Sequence, residues 1–91
     1  MISAHEAREL TYITTRLEST EERVRIMKEI EEEIRSAAFD KEIYIIYEVA
    51  AEHREYFTYY LTEAGYNVQA ISFYENGELM CRFIIDWGLD G

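Results

Sequence analysis

The fold is decided by a hairpin that reads Ile71-Ser72-Phe73-Tyr74-Glu75-Asn76-Gly77-Glu78-Leu79-Met80-Cys81-Arg82-Phe83. Asn-Gly is the preferred centre of a two-residue type I′ turn, so strands are predicted over 66–74 and 79–87. Pairing Glu75 with Glu78 fixes the register, because side chains alternate between the two faces of a strand. One face then carries the pairs that we expect in the core: Tyr74 with Leu79, Ser72 with Cys81, Ala70 with Phe83, Val68 with Ile85 and Tyr66 with Trp87.

The opposite face of the hairpin is a mixed surface that is only partly suited to water. It carries Phe73 with Met80, Ile71 with Arg82, Gln69 with Ile84 and Asn67 with Asp86. A further strand is predicted over 42–49, where β-branched and aromatic residues are apolar on both alternating faces. We expect this strand to be covered on both faces or to lie beside a subunit contact.

Helices are predicted over 3–38 and 50–64. Apolar residues recur at spacings of three and four in the first, and Ser3 with Glu6 forms a capping-box pattern at its start. A second such pattern, Ser19-Thr20-Glu21-Glu22, interrupts the apolar stripe, so this segment is either one helix or two helices that break near residue 19. The second predicted helix ends before Gly65, which stands where a left-handed residue follows a helix.

These elements predict a single α+β domain over residues 1–91, in the order α(α)βαββ. The sheet is expected to be three-stranded and mixed, with the helices on one face. Residues 79–85 are more apolar than residues 67–74, which favours the third strand in the middle and a strand order of 1-3-2. Order 1-2-3 is the alternative.

Composition excludes several classes of ligand. The chain has 9 basic and 19 acidic residues, a net charge of −10, which argues against direct binding of nucleic acid or of anionic membranes. Cys81 is the single cysteine, so no internal disulfide forms and a cytoplasmic location is expected. No stretch approaches the ~18 apolar residues of a membrane span, and the N-terminus lacks the pattern of a secretory signal.

The residues that could carry chemistry form no catalytic or metal-binding set. The two histidines are His5 and His53, and neither has a second histidine or cysteine at ligand spacing. His53 has Glu52 and Glu55 as acidic neighbours in sequence, and we interpret it as packed or solvated. Cys81 is expected in the core, where it is inert. We therefore expect no enzyme, no cofactor and no metal site.

The acidic charge and the tyrosines point instead to protein binding. Residues 40–91 carry ten acids and three bases, whereas residues 1–39 carry nine acids and six bases. Carboxylates on a rigid surface can imitate the phosphates of a duplex, and tyrosine is enriched at protein interfaces. The predicted partner-binding residues are Glu42, Glu48, Glu52, Glu55, Glu63, Tyr56, Tyr59 and Tyr60.

Four stretches resemble a class of small accessory proteins of tailed bacteriophages: Ser3-Ala4-His5-Glu6-Ala7-Arg8, Ile34-Arg35-Ser36-Ala37-Ala38, Leu61-Thr62-Glu63-Ala64-Gly65-Tyr66-Asn67-Val68 and Ile84-Ile85-Asp86-Trp87. In length and acidity the chain is also similar to the anti-restriction DNA-mimic proteins of such phages. These resemblances imply an early protein that offers carboxylates to the basic groove of a host nuclease or another DNA-binding protein. They assign no role to any single residue.

The leading functional hypothesis is a non-enzymatic phage early protein, a homodimer in the host cytoplasm. It binds and inhibits a host defence or nucleic-acid-binding protein that has a basic surface. One alternative is a sponge that sequesters a small nucleotide signal between tyrosines at a subunit interface. Another is a structural assembly protein.

Overall fold

A computed structural model describes residues 1, 3–6 and 17–88 of the chain. The backbone is helical at residues 4–6, where the Glu6 N–H donates to Ser3 Oγ at 3.1 Å as the first capping pattern predicts. Residues 7–16 of the predicted 3–38 segment lie outside the described residues. The elements that follow are α1 (Glu21–Phe39), β1 (Tyr44–Ala50), a 3₁₀ turn (Ala51–His53), α2 (Arg54–Glu63), β2 (Asn67–Glu75) and β3 (Glu78–Asp86).

Helices and a three-stranded sheet occur together in the described residues, which confirms the α+β class. In this part of the chain, no helix combines the length and the apolar character that a membrane span requires.

The start of α1 is fixed by a capping residue. Thr20 Oγ1 accepts a hydrogen bond from the Arg23 N–H at 3.2 Å, which satisfies one of the free donors at the helix start. Glu21 and Glu22 place negative charge beside the positive end of the helix dipole. Residues 18–20 are not helical, and the Ser19 hydroxyl is hydrogen-bonded to a side chain of α2. The chain therefore leaves helical geometry at the second capping pattern.

The end of α2 is fixed by glycine. Gly65 has a φ of +99°, and the Tyr66 N–H donates to the Leu61 carbonyl at 3.1 Å while the Gly65 N–H donates to the Thr62 carbonyl at 3.0 Å. These two bonds are the Schellman pattern that Gly65 predicts. The helix is shorter than the predicted 50–64, because residues 51–53 form the 3₁₀ turn instead.

The sheet has the order β1-β3-β2, which confirms the predicted order 1-3-2. Both neighbouring pairs are antiparallel, so the expectation of a mixed sheet is wrong. The physical reason is the position of β3. The strands β1 and β2 run in the same direction, but β3 lies between them and is antiparallel to both.

The hairpin has the predicted register. Tyr74 pairs with Leu79 and Ala70 pairs with Phe83. Asn76 and Gly77 have φ angles of 52° and 80°, as a type I′ turn requires. The register places Tyr74 and Leu79 on the core side, yet they are 75% and 44% exposed because they lie beside the turn at the end of the sheet.

The core joins both helices to alternate residues of the strands. Phe57 of α2 and Phe83 of β3 are fully buried, and their rings meet edge to face at 6.2 Å. Each fully buried side chain of this kind contributes roughly 1.5–3 kcal/mol to folding. The buried cluster consists of Ile26, Ile30, Ile45, Val49, Tyr56, Phe57, Leu61, Cys81, Phe83 and Ile85.

The strand β1 is covered on one face. Ile45 and Val49 are 9% and 5% exposed, whereas Tyr44 and Ile46 are 48% and 52% exposed. The expectation that residues 42–49 are covered on both faces therefore does not hold within the described residues. The alternative, a position beside a subunit contact, stays a prediction.

Candidate functional site

The start of α1 and the 3₁₀ turn before α2 are joined by a buried arginine. Arg23 is 7% exposed and His53 is 4% exposed, and the Arg23 Nε donates to His53 Nδ1 at 3.0 Å. The Arg23 Nη1 donates to the Glu18 carbonyl at 3.0 Å, and Nη2 donates to the Glu52 carbonyl at 3.0 Å. The guanidinium also lies over the ring of Tyr56, 4.9 Å from its centroid. A buried charge is tolerated here because protein groups replace its hydration.

This arginine fixes the tautomer of His53. An arginine N–H can only donate, so Nδ1 must be the acceptor and the proton of the neutral ring lies on Nε2. The Nε2 atom is buried and has no hydrogen-bond partner among the described residues. It faces two carboxylates, because Oε1 of Glu52 is 3.4 Å away and Oε1 of Glu22 is 3.6 Å away.

The same three side chains have the composition of a metal site. Their ligand atoms, from Glu22, Glu52 and His53, all lie within 4.8 Å of one another. A cation would need the lone pair of Nε2, however, which requires the ring proton on Nδ1. That proton would meet the Nε–H of Arg23, whereas a histidine that binds metal normally donates its other N–H to an acceptor. The donor set therefore fits a ring N–H between two carboxylates and does not fit a cation.

Sequence reasoning placed His53 beside Glu52 and Glu55 but missed Arg23. The two partners are 30 positions apart in the chain, so neither helical spacing nor a short motif connects them. Only the packing of α1 beside the 3₁₀ turn brings them together.

An exposed strip of acidic and aromatic side chains lies next to this pair. Tyr59 is 47% exposed, and the side chain of Glu52 is 71% exposed. Residues three or four apart on a helix are neighbours, so Glu55, Tyr59 and Glu63 follow one another along α2. We name this strip the acidic ridge, which consists of Glu22, Glu52, Glu55, Tyr59 and Glu63.

The arginine at the start of α2 is directed toward the sheet. The Arg54 Nη1 donates to Ser72 Oγ at 3.1 Å, and its Nη2 donates to the Ala70 carbonyl at 3.4 Å. Both acceptors belong to β2. The guanidinium groups of Arg23 and Arg54 are thus anchored by hydrogen bonds to other parts of the protein.

Two of the three predicted partner-binding tyrosines are exposed. Tyr59 and Tyr60 are 47% and 38% exposed, and their rings are 5.0 Å apart. Tyr56 is 5% exposed and belongs to the core, where its hydroxyl is hydrogen-bonded to Ser19 at 3.0 Å. Tyr56 therefore packs α2 against the core and offers almost no surface to a partner.

The structure also separates two of the predicted carboxylates from the ridge. Glu48 points to the side of the sheet opposite the core and accepts a hydrogen bond from Arg82 Nε at 2.7 Å. Glu42 precedes β1 and lies near Glu33 and Asp40 at the end of α1. Of the predicted acidic set, Glu52, Glu55 and Glu63 share one surface.

Comparison of the chain with protein-family models, with curated proteins and with solved structures returned no match. No relative therefore assigns a role to the acidic ridge or to the Arg23–His53 pair. Their function is inferred from geometry and charge.

Proposed function

We propose that this chain is a non-catalytic binding protein whose acidic ridge engages a protein partner with a basic surface. The observation that carries the proposal is the exposed sequence of carboxylates and Tyr59 along one side of α2. Carboxylates on both sides of an aromatic ring suit a basic protein surface, because charge steers the encounter and the ring supplies contact area.

The spacing of the carboxylates along the ridge favours a protein partner that does not require the regular phosphate spacing of DNA. From Glu52 to Glu63 the ridge extends about 18 Å, at about 2.0 Å per residue in the 3₁₀ turn and 1.5 Å in the helix. It presents Glu52, Glu55 and Glu63 over that length, where a single DNA strand would present about five phosphates. The ridge is thus less dense in charge than DNA, and we expect it to compete with nucleic acid only at a partial contact.

Two side chains of the kinds that often carry catalysis, His53 and Cys81, are held in structural positions. The ring of His53 is committed to Arg23 through Nδ1. Cys81 is fully buried, and burial raises the pKa of its thiol above the ordinary value even though Arg54 acts in the opposite direction. These two arrangements support a role in binding.

The biological setting that we propose is the one that the sequence resemblance implies. The chain would act in the host cytoplasm as an early protein of a tailed bacteriophage, and its partner would be a host defence or nucleic-acid-binding protein. A net charge of −10 supports a basic partner of this kind.

The test is capture of host proteins from lysate on the immobilised chain, with release by rising salt. The ridge variant is Glu52→Gln with Glu55→Gln and Glu63→Gln. The control is Glu32→Gln with Glu75→Gln and Glu78→Gln, which changes the net charge equally at exposed positions off the ridge. We expect the ridge variant to lose affinity for the captured basic proteins by about tenfold and to show a shallower salt dependence. Equal retention by both variants would exclude the ridge as the binding surface.

A further inference from the structure

The face of the sheet opposite the core carries exposed apolar side chains. Ile46 of β1 is 52% exposed, and Ile71 of β2 is 45% exposed. Met80 and Ile84 of the central strand lie between the edge strands and are half-buried. We name this surface the open face, which consists of Tyr44, Ile46, Glu48, Ala50, Asn67, Gln69, Ile71, Phe73, Glu75, Glu78, Met80, Arg82, Ile84 and Asp86. Its carboxylates other than Glu48, namely Glu75, Glu78 and Asp86, lie at the two ends of the strands.

The centre of the open face is electrically balanced. Glu48, Arg82 and Ile71 form one row across the three strands. The Arg82 Nε donates to Glu48 Oε2 at 2.7 Å, and its guanidinium lies 4.7 Å from the centroid of the Phe73 ring. The chain has a net charge of −10, but in this row the charges of Glu48 and Arg82 sum to zero and exposed apolar area lies beside them.

From this geometry we propose that the open face is the interface of a homodimer. A net charge of −10 opposes the association of two copies in general, whereas this approach joins the two central rows, in which Glu48 and Arg82 balance each other. A two-fold axis that runs along the strands, between β1 and β3, places Arg82 opposite Glu48 of the second copy. Each copy then contributes one residue to each of two reciprocal pairs, as an isologous interface requires.

The size of the face sets the strength of the dimer. An axis between β1 and β3 lays these two strands of one copy over β3 and β1 of the other, and β2 stays at the edge of the contact. Two strands at about 4.8 Å spacing and the seven residues of β1 at about 3.3 Å give roughly 220 Å² of flat area per copy. Two copies bury about 440 Å² before side-chain relief is added, which is below the ~1,000 Å² of a stable specific interface and in the range of weak, transient contacts. We therefore infer a dimer that dissociates on dilution, formed by two sheets packed face to face about 10 Å apart.

The dimer also explains why β1 has exposed apolar side chains on its outward face. Its outward residues Tyr44 and Ile46 are about half exposed in the single chain and would be covered by the second copy. The proposal does not depend on the acidic ridge, because the ridge lies on α1, the 3₁₀ turn and α2. Pairing would present two ridges at once, which would strengthen binding to a partner with two basic sites.

The first test measures mass in solution by sedimentation over a range of concentrations. We expect the native chain to move from 10.8 kDa toward twice that mass as the concentration rises. Ile46→Glu should hold the chain at the monomer mass, because it places a charge in the apolar centre. The matched control is Tyr74→Glu, at a 75% exposed position beside the hairpin turn and off the open face. A native chain that stays at 10.8 kDa throughout would overturn the proposal, since something other than a second copy would then cover this face.

The second test exchanges the charges between copies. Glu48→Arg alone and Arg82→Glu alone should each be monomeric, because each variant brings like charges together across the axis. An equal mixture of the two variants should recover the dimer, since every pair across the interface is then of opposite sign. Circular dichroism confirms that each variant is folded. A native dimer whose two variants fail to associate when mixed would overturn the proposed axis and with it the interface.

Discussion

The Nε–H of Arg23 donates to Nδ1 of His53 across 3.0 Å, and this bond connects the start of α1 to the turn before α2. The two carbonyls that the same guanidinium binds belong to Glu18, two residues before the helix cap Thr20, and to Glu52 in the 3₁₀ turn. Arg23 is thus the point at which three backbone segments meet.

Removal of this side chain should destabilise the fold strongly. Arg23→Met keeps most of the volume but removes the donors of one buried acceptor, His53 Nδ1, and of two part-buried carbonyls, so we expect the free energy of unfolding to fall by about 3 kcal/mol. Urea unfolding followed by circular dichroism measures it. The control is Arg25→Met on the same helix, whose side chain is 63% exposed and pairs with Glu29 at 3.4 Å. This exposed pair is worth only about 0.5 kcal/mol. Equal losses in the two variants would mean that the Arg23 bonds add nothing beyond a surface charge.

The tautomer of His53 predicts that zinc does not stabilise the native chain. The ring proton on Nε2 occupies the position that a cation would need, and Arg23 holds it there. In millimolar zinc the melting temperature of the native chain should shift by no more than that of His53→Gln. A zinc-dependent rise in the native chain that disappears in His53→Gln would show that the cluster with Glu22 and Glu52 binds metal.

Sequence patterns predicted the parts of the fold that local chemistry determines. Asn76 and Gly77 require a tight turn, and the turn alone sets which hairpin residues face each other. Gly65 marks the end of α2 for the same kind of reason. The Arg23–His53 bond could not be predicted, because it depends on how a helix start and a distant turn are packed together.

The sequence also could not show that the predicted acidic residues lie on different surfaces, because this depends on contacts between distant parts of the chain. The sequence shows that Glu48 has few basic residues near it along the chain. Arg82 is 34 positions away and reaches it only because β3 lies beside β1. Strand order and register together were needed to see that this carboxylate is paired, while Glu52 and Glu63 lie on a different surface. Tyr56 was indistinguishable from its neighbours until the face of α2 that enters the core was known.

Tyr47 should lose a stabilising interaction at high pH. Burial, the hydrogen bond that its hydroxyl donates to Glu29, and the charges of Glu29 and Glu33 raise its pKa from 10.0 to about 12. The folded chain therefore favours the neutral phenol, so the contribution is complete below pH 10 and is lost as the pH rises toward 12. Urea unfolding across this window should show the native chain losing stability relative to Tyr47→Phe. Tyr74→Phe is the control, and a difference that stays constant with pH for Tyr47→Phe would contradict the assignment.

The end of α1 carries a lysine where glycine is usual. Lys41 has a φ of 64°, the Glu42 N–H donates to the Ala37 carbonyl at 2.8 Å, and the Lys41 N–H donates to the Ala38 carbonyl at 3.0 Å. This is the hydrogen-bond pattern that Gly65 completes after α2. A residue with a Cβ atom is strained in this left-handed conformation, whereas glycine is not.

Lys41→Gly should therefore raise the free energy of unfolding by about 0.5–1 kcal/mol, as measured by urea unfolding. Because the substitution also removes a positive charge beside Asp40 and Glu42, the matched variant is Lys41→Gln, which removes the charge and keeps the strain. The difference between the two variants isolates the backbone contribution. Lys41→Gly should be the more stable of the pair at every salt concentration, since strain, unlike charge, is not screened. If Lys41→Gln were as stable as Lys41→Gly, the left-handed conformation would not be strained and the Schellman pattern at this helix end would be as favourable with lysine as with glycine.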